Sequence, residues 1–249
     1  MSDAPDPAPQ FSGLRVCDDV RPAAWLEVAL WPWGQGGMRV GSLVPDGYPT
    51  YGRVLHAASS ALGAEKIKWS DIAAHHDRPL GAETRFNELV DWHPAPDRQR
   101  PPWPWEQPDR GSLTPGECEA LAGVLARHTT TPEQCWFCLW EGYGWAVLPA
   151  PGHGPPRVLL EHRDCLLFAG AVSAATAFRS GPWFQSPTLW WPDDRSWVVA
   201  TDLDTFSTYI AARADCLDDL RHHPALEVLE CTSRQRVDPS PYSPGGEGV

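Results

Sequence analysis

Cys135 and Cys138, with His162 and Cys165 further along, have the spacing most familiar from metal chemistry. Cys-x-x-Cys followed by His-x-x-Cys is a structural zinc pattern, because two thiolates three residues apart can share an ion when the chain turns tightly between them. Here Trp136 and Phe137 stand where glycine or proline would make that turn. The segment reads as a strand, in which residues i and i+3 face opposite sides. Zinc is therefore the lesser alternative, and no cofactor is expected. The same reasoning disfavours disulfide exchange, which needs a thiol activated at a helix N-terminus. Cys118, Cys216 and Cys231 read as small, soft core residues.

Carboxylates are the second source of chemistry. Asp202 and Asp204 stand two apart, so on a strand both would project from one face, and Glu141, Asp193 and Asp194 could join them to hold a divalent cation or supply an acid and a base. Arg195 would then orient an anion. The alternative is structural: Asp193 and Asp194 make a turn, and Asp202 and Asp204 flank a strand end as solvated or capping residues. Glu141 and Tyr143 emerge where the Gly142-Tyr143-Gly144 turn ends the aromatic strand. A site between that turn and the Asp193–Arg195 loop, with Asp202 and Asp204 beneath, is the ligand-binding expectation.

Other catalytic patterns are missing. The chain has nine histidines, but no Gly-x-Ser-x-Gly elbow and no His-Glu-x-x-His. Gly-x-x-x-x-Gly-Lys is absent, and Gly34-Gln35-Gly36-Gly37 leads into no convincing helix. Fourteen tryptophans in 249 residues exceed what packing requires, and indoles also anchor partners and ligands. Trp103 and Trp105, set among prolines, are the exposed candidates, since a polyproline-like edge can dock a partner.

The whole chain sets bounds on partners. Its formal charge is −12 and no Lys/Arg cluster offsets it, which argues against nucleic acid and favours a protein partner with a basic surface. The acidic N-terminus has no export pattern, and no apolar run reaches the roughly 20 residues that cross a bilayer. Seven scattered cysteines read as reduced thiols, so a soluble cytoplasmic protein with no membrane partner is expected.

The elements that must position these residues begin after a proline-rich tail over residues 1–10. Trp25–Trp31 and Met38–Val44 read as a hairpin about the Gly34–Gly37 turn, and Tyr51–His56 as a third strand after Pro45-Asp46-Gly47. Ser70 is placed to cap a helix through His76, with Trp69 as a staple. A second helix near Glu83–Trp92 presents Phe86, Leu89, Val90 and His93 on one face. Prolines through residues 94–110 mark a linker or surface loop between an N-terminal part, 11–93, and a C-terminal part, 111–232; the two parts could also form one domain. Thr114-Pro115-Gly116-Glu117 is a capping box with proline at the first helical position, and Leu121, Val124, Leu125 and His128 line the face that follows. The Cys135–Trp140 strand is apolar on both faces and so belongs inside a sheet, with Leu189–Trp197 as its partner. Arg157–Leu160 and Cys165–Phe168 read as strands, as do Ser196–Leu203, Phe206–Ala211 and Leu226–Cys231. Ala171–Phe178 and Ala214–His222 read as helices, and residues 233–249 as a disordered tail. The fold class is α+β: a Trp-rich, mainly antiparallel sheet packed with several short helices.

The succession Val44-Pro45-Asp46-Gly47-Tyr48, Arg53-Val54-Leu55-His56 and Cys135–Trp145, then Ser186–Pro192 and Trp197–Asp204, resembles a group of uncharacterised actinobacterial proteins. That resemblance spans most of residues 40–230 and implies a shared fold without an activity. A capped helix leading to an aromatic strand and glycine turn is also similar to SUKH-type immunity modules, α+β proteins that bind and neutralise toxins. The functional expectation is an interaction module of antitoxin-like kind, binding through an acidic, Trp-rich surface. The alternative is an enzyme or small-ligand binder built on the carboxylates.

Overall fold

The computed structural model describes residues 11–33, 38–60, 65–90, 105–145, 154–161 and 163–237. Its centre is a nine-stranded antiparallel sheet. In chain order the strands are β1 (Arg15–Val16), β2 (Thr50–Leu55), β3 (Cys135–Trp140), β4 (Arg157–Leu160) and β5 (Arg163–Gly170), then β6 (Leu189–Pro192), β7 (Val198–Thr201), β8 (Ser207–Ala212) and β9 (Val228–Cys231). In space they run β5-β3-β6-β7-β8-β2-β9, with β1 and β4 both paired to β5. The α+β class read from the sequence holds.

Alternation along β3 decides how the layers form. Cys135, Phe137 and Leu139 join one apolar core, whereas Cys138 joins the other, with Trp136 and Trp140 packed against it. The first core is closed by α4 (Pro115–Leu125) and α5 (Ala214–Arg221), which contribute Leu121, Leu125, Leu217 and Leu220. Trp190 stacks on Phe137 at 5.9 Å, and Trp197 meets Trp190 edge-on and donates its indole N–H to the Leu125 carbonyl at 3.0 Å. The second core lies under the irregular N-terminal segment, including α1 (Leu26–Ala29). A third cluster, with Trp69, Phe86 and Phe206, joins α2 (Trp69–His75) and α3 (Phe86–Leu89) to the end of β2. There the buried Arg53 donates to the Ser207 hydroxyl and to the carbonyls of Ala82 and Thr84, tying that loop to the sheet.

Several sequence expectations change. The hairpin expected over Trp25–Trp31 and Met38–Val44 is instead the single helical turn α1 and a 3-10 turn, Val40–Ser42. Leu26 is buried and Leu30 donates its N–H back to the Leu26 carbonyl, a helical i, i+4 relation that a strand reading of the same apolar residues misses. The 38–41 segment hydrogen-bonds to the chain end: Val40 N–H reaches Gln235 O, Gly41 N–H reaches Ser233 O, and Val237 is 1% exposed. The tail expected to be disordered from residue 233 is therefore packed through 237. Ser70 is not the cap of α2. The helix starts at Trp69, and the Glu227 carboxylate accepts from the Trp69 and Ser70 amides at 2.6 and 2.9 Å. The second helix shortens to α3, with Phe86, Leu89 and Val90 buried and His93 outside the described residues, and the Ala171–Phe178 helix is a 3-10 turn over Val172–Thr176. The Thr114–Glu117 capping box forms as read. The strand read at 157–160 forms with those ends, and the strands read at 165–168 and in the 196–231 region lie in the central sheet with shifted ends.

β2 comes from the N-terminal part, yet it sits between β8 and β9 of the C-terminal part. The sheet thus draws on both sides of the proline-rich segment. No helix among the described residues is long and apolar enough to cross a membrane.

Candidate functional site

Three strand ends converge where β3 closes, β6 opens and β7 stops. Thr188 N–H donates to the Cys138 carbonyl, Thr201 N–H donates to Thr188 O, and Trp140 N–H donates to the Thr188 hydroxyl, all at 2.9–3.0 Å. Past Thr201 the chain turns rather than continuing as strand, so Asp202 and Asp204 do not share a strand face. One Asp202 oxygen accepts from the Asp204 amide at 3.0 Å, and the Asp202 carbonyl accepts from the amide and hydroxyl of Thr205. This is the strand-end capping role anticipated as the structural alternative.

The other Asp202 oxygen faces β5. Arg163, the first residue of that strand, donates to it at 2.9 Å and stands 3.9 Å from Asp204. The Arg163 guanidinium lies 5.4 Å from the Trp33 ring centre and 5.5 Å from that of Trp140. With the Asp202 side chain 3% exposed and that of Arg163 15% exposed, the charges form a largely desolvated pair covered by aromatic faces. Burial, and then the neighbouring Asp202 charge, raise the Asp204 carboxyl above its ordinary value.

This pair stands at a cleft of about 430 Å³. Leu189 and Ala200 of the sheet lie along it, Leu26, Glu27 and Leu30 approach from α1 and its end, and Trp31 and Trp33 follow. Leu159 and Glu161, at the end of β4, complete the opposite side. The Trp31 ring rests against Gly41, where an added Cβ would come within 2.7 Å of the indole, so glycine permits this wall. Glu161 accepts from the Trp33 amide at 2.7 Å, tying that wall to the β4–β5 connection.

The residues singled out from sequence separate into three places. Asp202 lines the cleft, Asp204 is close to its Arg163, and Tyr143 lies nearby, edge-on to Trp140 at 5.2 Å. The Tyr143 hydroxyl is buried near Thr188 without a hydrogen bond of ordinary geometry among the described residues, and burial raises its pKa. Glu141 is exposed and engaged by Arg157, whose two nitrogens reach its two oxygens at 2.6 Å each; hydrogen bonding to that guanidinium lowers its pKa.

Asp193, Asp194 and Arg195 lie elsewhere. The β3–β6 register pairs Cys135 with Pro192 and Cys138 with Leu189, placing these residues beyond the opposite end of β6 from Thr188, about 15 Å away along the strand. A site between the Glu141–Tyr143 turn and the 193–195 loop is therefore excluded by antiparallel pairing. Asp193 accepts from the Trp136 indole, and Arg195, at φ +52°, covers the Trp25 ring at 4.5 Å. Burial opposes ionisation of Asp194, but donors from Thr130 and Ser196 outweigh it and bring the carboxyl to about 2. These residues build the turn.

Trp105 is 5% exposed, packed edge-on to His75 and His76, so it is a core residue rather than an exposed anchor. Trp103 lies outside the described residues, as does His162. Cys135 and Cys138 sit in cores on opposite sides of the sheet and cannot share an ion, which removes the zinc alternative that needed both. Burial raises the thiol pKa of Cys165 to about 12 and moves Cys135 and Cys138 upward as well. Sequence reading missed Arg163, Trp31, Trp33 and Glu27. Arg163 falls between the strands read at 157–160 and 165–168, and only the charge of Glu161, Arg163 and Asp164 between two apolar runs signals it.

No family model matches the chain, and no curated protein or solved structure matches it.

Proposed function

We propose that the protein binds a small organic ligand in the cleft beside the Asp202–Arg163 pair. The observation that carries this reading is a largely desolvated ion pair held against a largely apolar cleft of about 430 Å³, a size within the range of small-molecule sites. A buried pair is a weak device for stability, because desolvation offsets most of its attraction. Its placement at a cleft, backed by a capped turn and two indoles, suits the orienting of a polar head while Leu26, Leu30 and Leu189 receive an apolar body. Both Asp202 oxygens already accept hydrogen bonds, which favours positioning over proton exchange and hence binding over catalysis. A ligand-observed NMR screen tests the reading. Hits that bind the wild type and lose binding in Leu30→Trp, which fills the half-exposed wall, are expected; hits unaffected by that substitution, or no hits at all, would overturn it.

A second reading, an interaction module of antitoxin-like kind, is favoured by the apolar residues displayed around the same place. Leu159, at the cleft, is 66% exposed, and Val28, on α1, is 90% exposed. A partner covering them would insert a side chain where a small ligand would otherwise sit. Of the described tryptophans only Trp183 is exposed, so this reading rests on the aliphatic residues rather than on a tryptophan surface. Its test is the double variant Val28→Ser/Leu159→Ser: loss of a co-purifying partner supports it, and an unchanged small-ligand profile with no partner in either protein counts against it.

A further inference from the structure

We infer that the ligand of the cleft is an organic cation, an amine or quaternary ammonium carried on an apolar body; this rests on the small-ligand reading above. The first ground is charge. Among the described residues, Glu27, Glu161 and Asp202 line the cleft against a single cation, Arg163, and no lysine lines it. Arg163 is already matched by Asp202 at 2.9 Å and approached by Asp204 at 3.9 Å, so its charge is compensated before any ligand arrives. Glu27 sits exposed on α1 at the cleft and enters no ion pair or hydrogen bond among the described residues. An anionic ligand would meet an excess of carboxylates; a cation would meet their attraction.

The second ground is the aromatic lining. Indole faces attract cations through the ring quadrupole, most strongly where water is displaced. The chain's own guanidinium already shows this, lying 5.4 Å from the ring centre of Trp33, which lines the cleft, and 5.5 Å from that of Trp140 behind it. Trp31 adds a further indole to the lining, held in place by Gly41. Leu26, Leu30, Leu43 and Leu189 add an aliphatic stretch of lining that suits a hydrocarbon body. At about 30 Å³ per small group the volume holds roughly a dozen non-hydrogen atoms. The formal charge of −12 on the whole chain raises the local concentration of cations in the same direction.

Titration calorimetry with hexyltrimethylammonium, hexanol and hexanoate tests the assignment, because the three share an apolar chain and differ in head charge. The cation is expected to bind at least about tenfold more tightly than hexanol, with hexanoate weakest. Glu27→Gln should weaken the cation about threefold and leave hexanol unchanged, and the cation's advantage should shrink as salt rises. Hexanol or hexanoate binding as tightly as the cation, or no binding of the cation, would overturn the assignment. If hexanol binds and is lost in Leu30→Trp while the cation shows no advantage, the cleft reading stands and only the charge assignment fails. If none of the three binds and the wider screen is empty, both fail.

Discussion

Asp202 shows how one side chain can serve structure and site together: one oxygen shapes the turn after β7 and the other holds Arg163 against the cleft. Asp202→Ala removes both and leaves the guanidinium with its closest carboxylate gone, so a loss of about 3 kcal/mol is expected, read as a lower urea midpoint with unchanged slope. Asp202→Asn keeps the turn oxygen and loses only the ion pair, so it should lose less; equal losses would show that the turn oxygen contributes nothing. His56 offers a second test. Its Nδ1 must donate to the Asp109 carbonyl at 2.8 Å, which leaves Nε2 to accept from Thr208, whose hydroxyl lies 2.7 Å from that of Thr201. Burial lowers its pKa from 6.5 to about 4; the Asp109 hydrogen bond and Glu117 oppose the shift and Arg53 adds to it. The unfolded chain therefore binds this proton first, so stability is full above pH 6.5 and falls as pH drops toward 4. His56→Gln should flatten that part of the urea-midpoint profile relative to wild type; an unchanged slope would exclude His56 as its source. At this scale the sequence showed Asp202 and Asp204 by their spacing, but not Arg163 or Trp33. Their roles come from pairing and from a segment 130 residues away, which no local pattern encodes.

Helix ends separate what was legible from what was not. The α4 start was readable because all its parts are local: Thr114 accepts from the Glu117 amide, and Glu117 reaches back to the Thr114 amide at 2.9 Å. Thr114→Ala should cost about 1 kcal/mol in chemical denaturation. Glu117→Ala should cost more, because the 2%-exposed carboxylate also accepts from Ala57 N–H at 2.9 Å; equal costs would contradict that added role. The α2 start was not readable, since its amides are satisfied by Glu227 from a loop far along the chain. α1 reads as a strand in the sequence because four residues carry little periodicity, and the burial of Leu26 with exposure of Glu27 and Val28 decides for a helix only in three dimensions. Gly111 links an element to the cleft. At φ +72°, its missing Cβ would fall 2.7 Å from Leu203 Cα, within the turn that holds Asp202. Gly111→Ala should destabilise by about 1–3 kcal/mol and weaken cleft binding together; full stability with full binding would refute the link.

The whole molecule is organised by the sheet, and the β3–β6 pairing at its centre was visible as two aromatic runs. What hid the rest was sequence distance: β2 pairs with β8 and β9 more than 150 residues later, so prolines at 94–110 looked like a boundary although the sheet spans it. Cutting the chain there should leave residues 111–249 without the strand between β8 and β9, and that fragment is expected to give a poorly dispersed NMR spectrum while the intact chain unfolds in one transition. A dispersed, cooperatively folding fragment would contradict a single structural unit. The same sheet brings Thr188, Thr201 and Arg163 to one end and leaves Asp193–Arg195 at the other, which is why the cleft gathers some of the carboxylates anticipated and not the rest. The most direct test of the cleft as the functional site is a two-dimensional 1H–15N titration of the full chain with the screened ligands, following the tryptophan indole signals. Saturable shifts of Trp31 and Trp33, with Trp69, Trp105 and Trp197 unmoved, are the predicted result. Shifts confined to Trp183, or scattered without saturation, would contradict it.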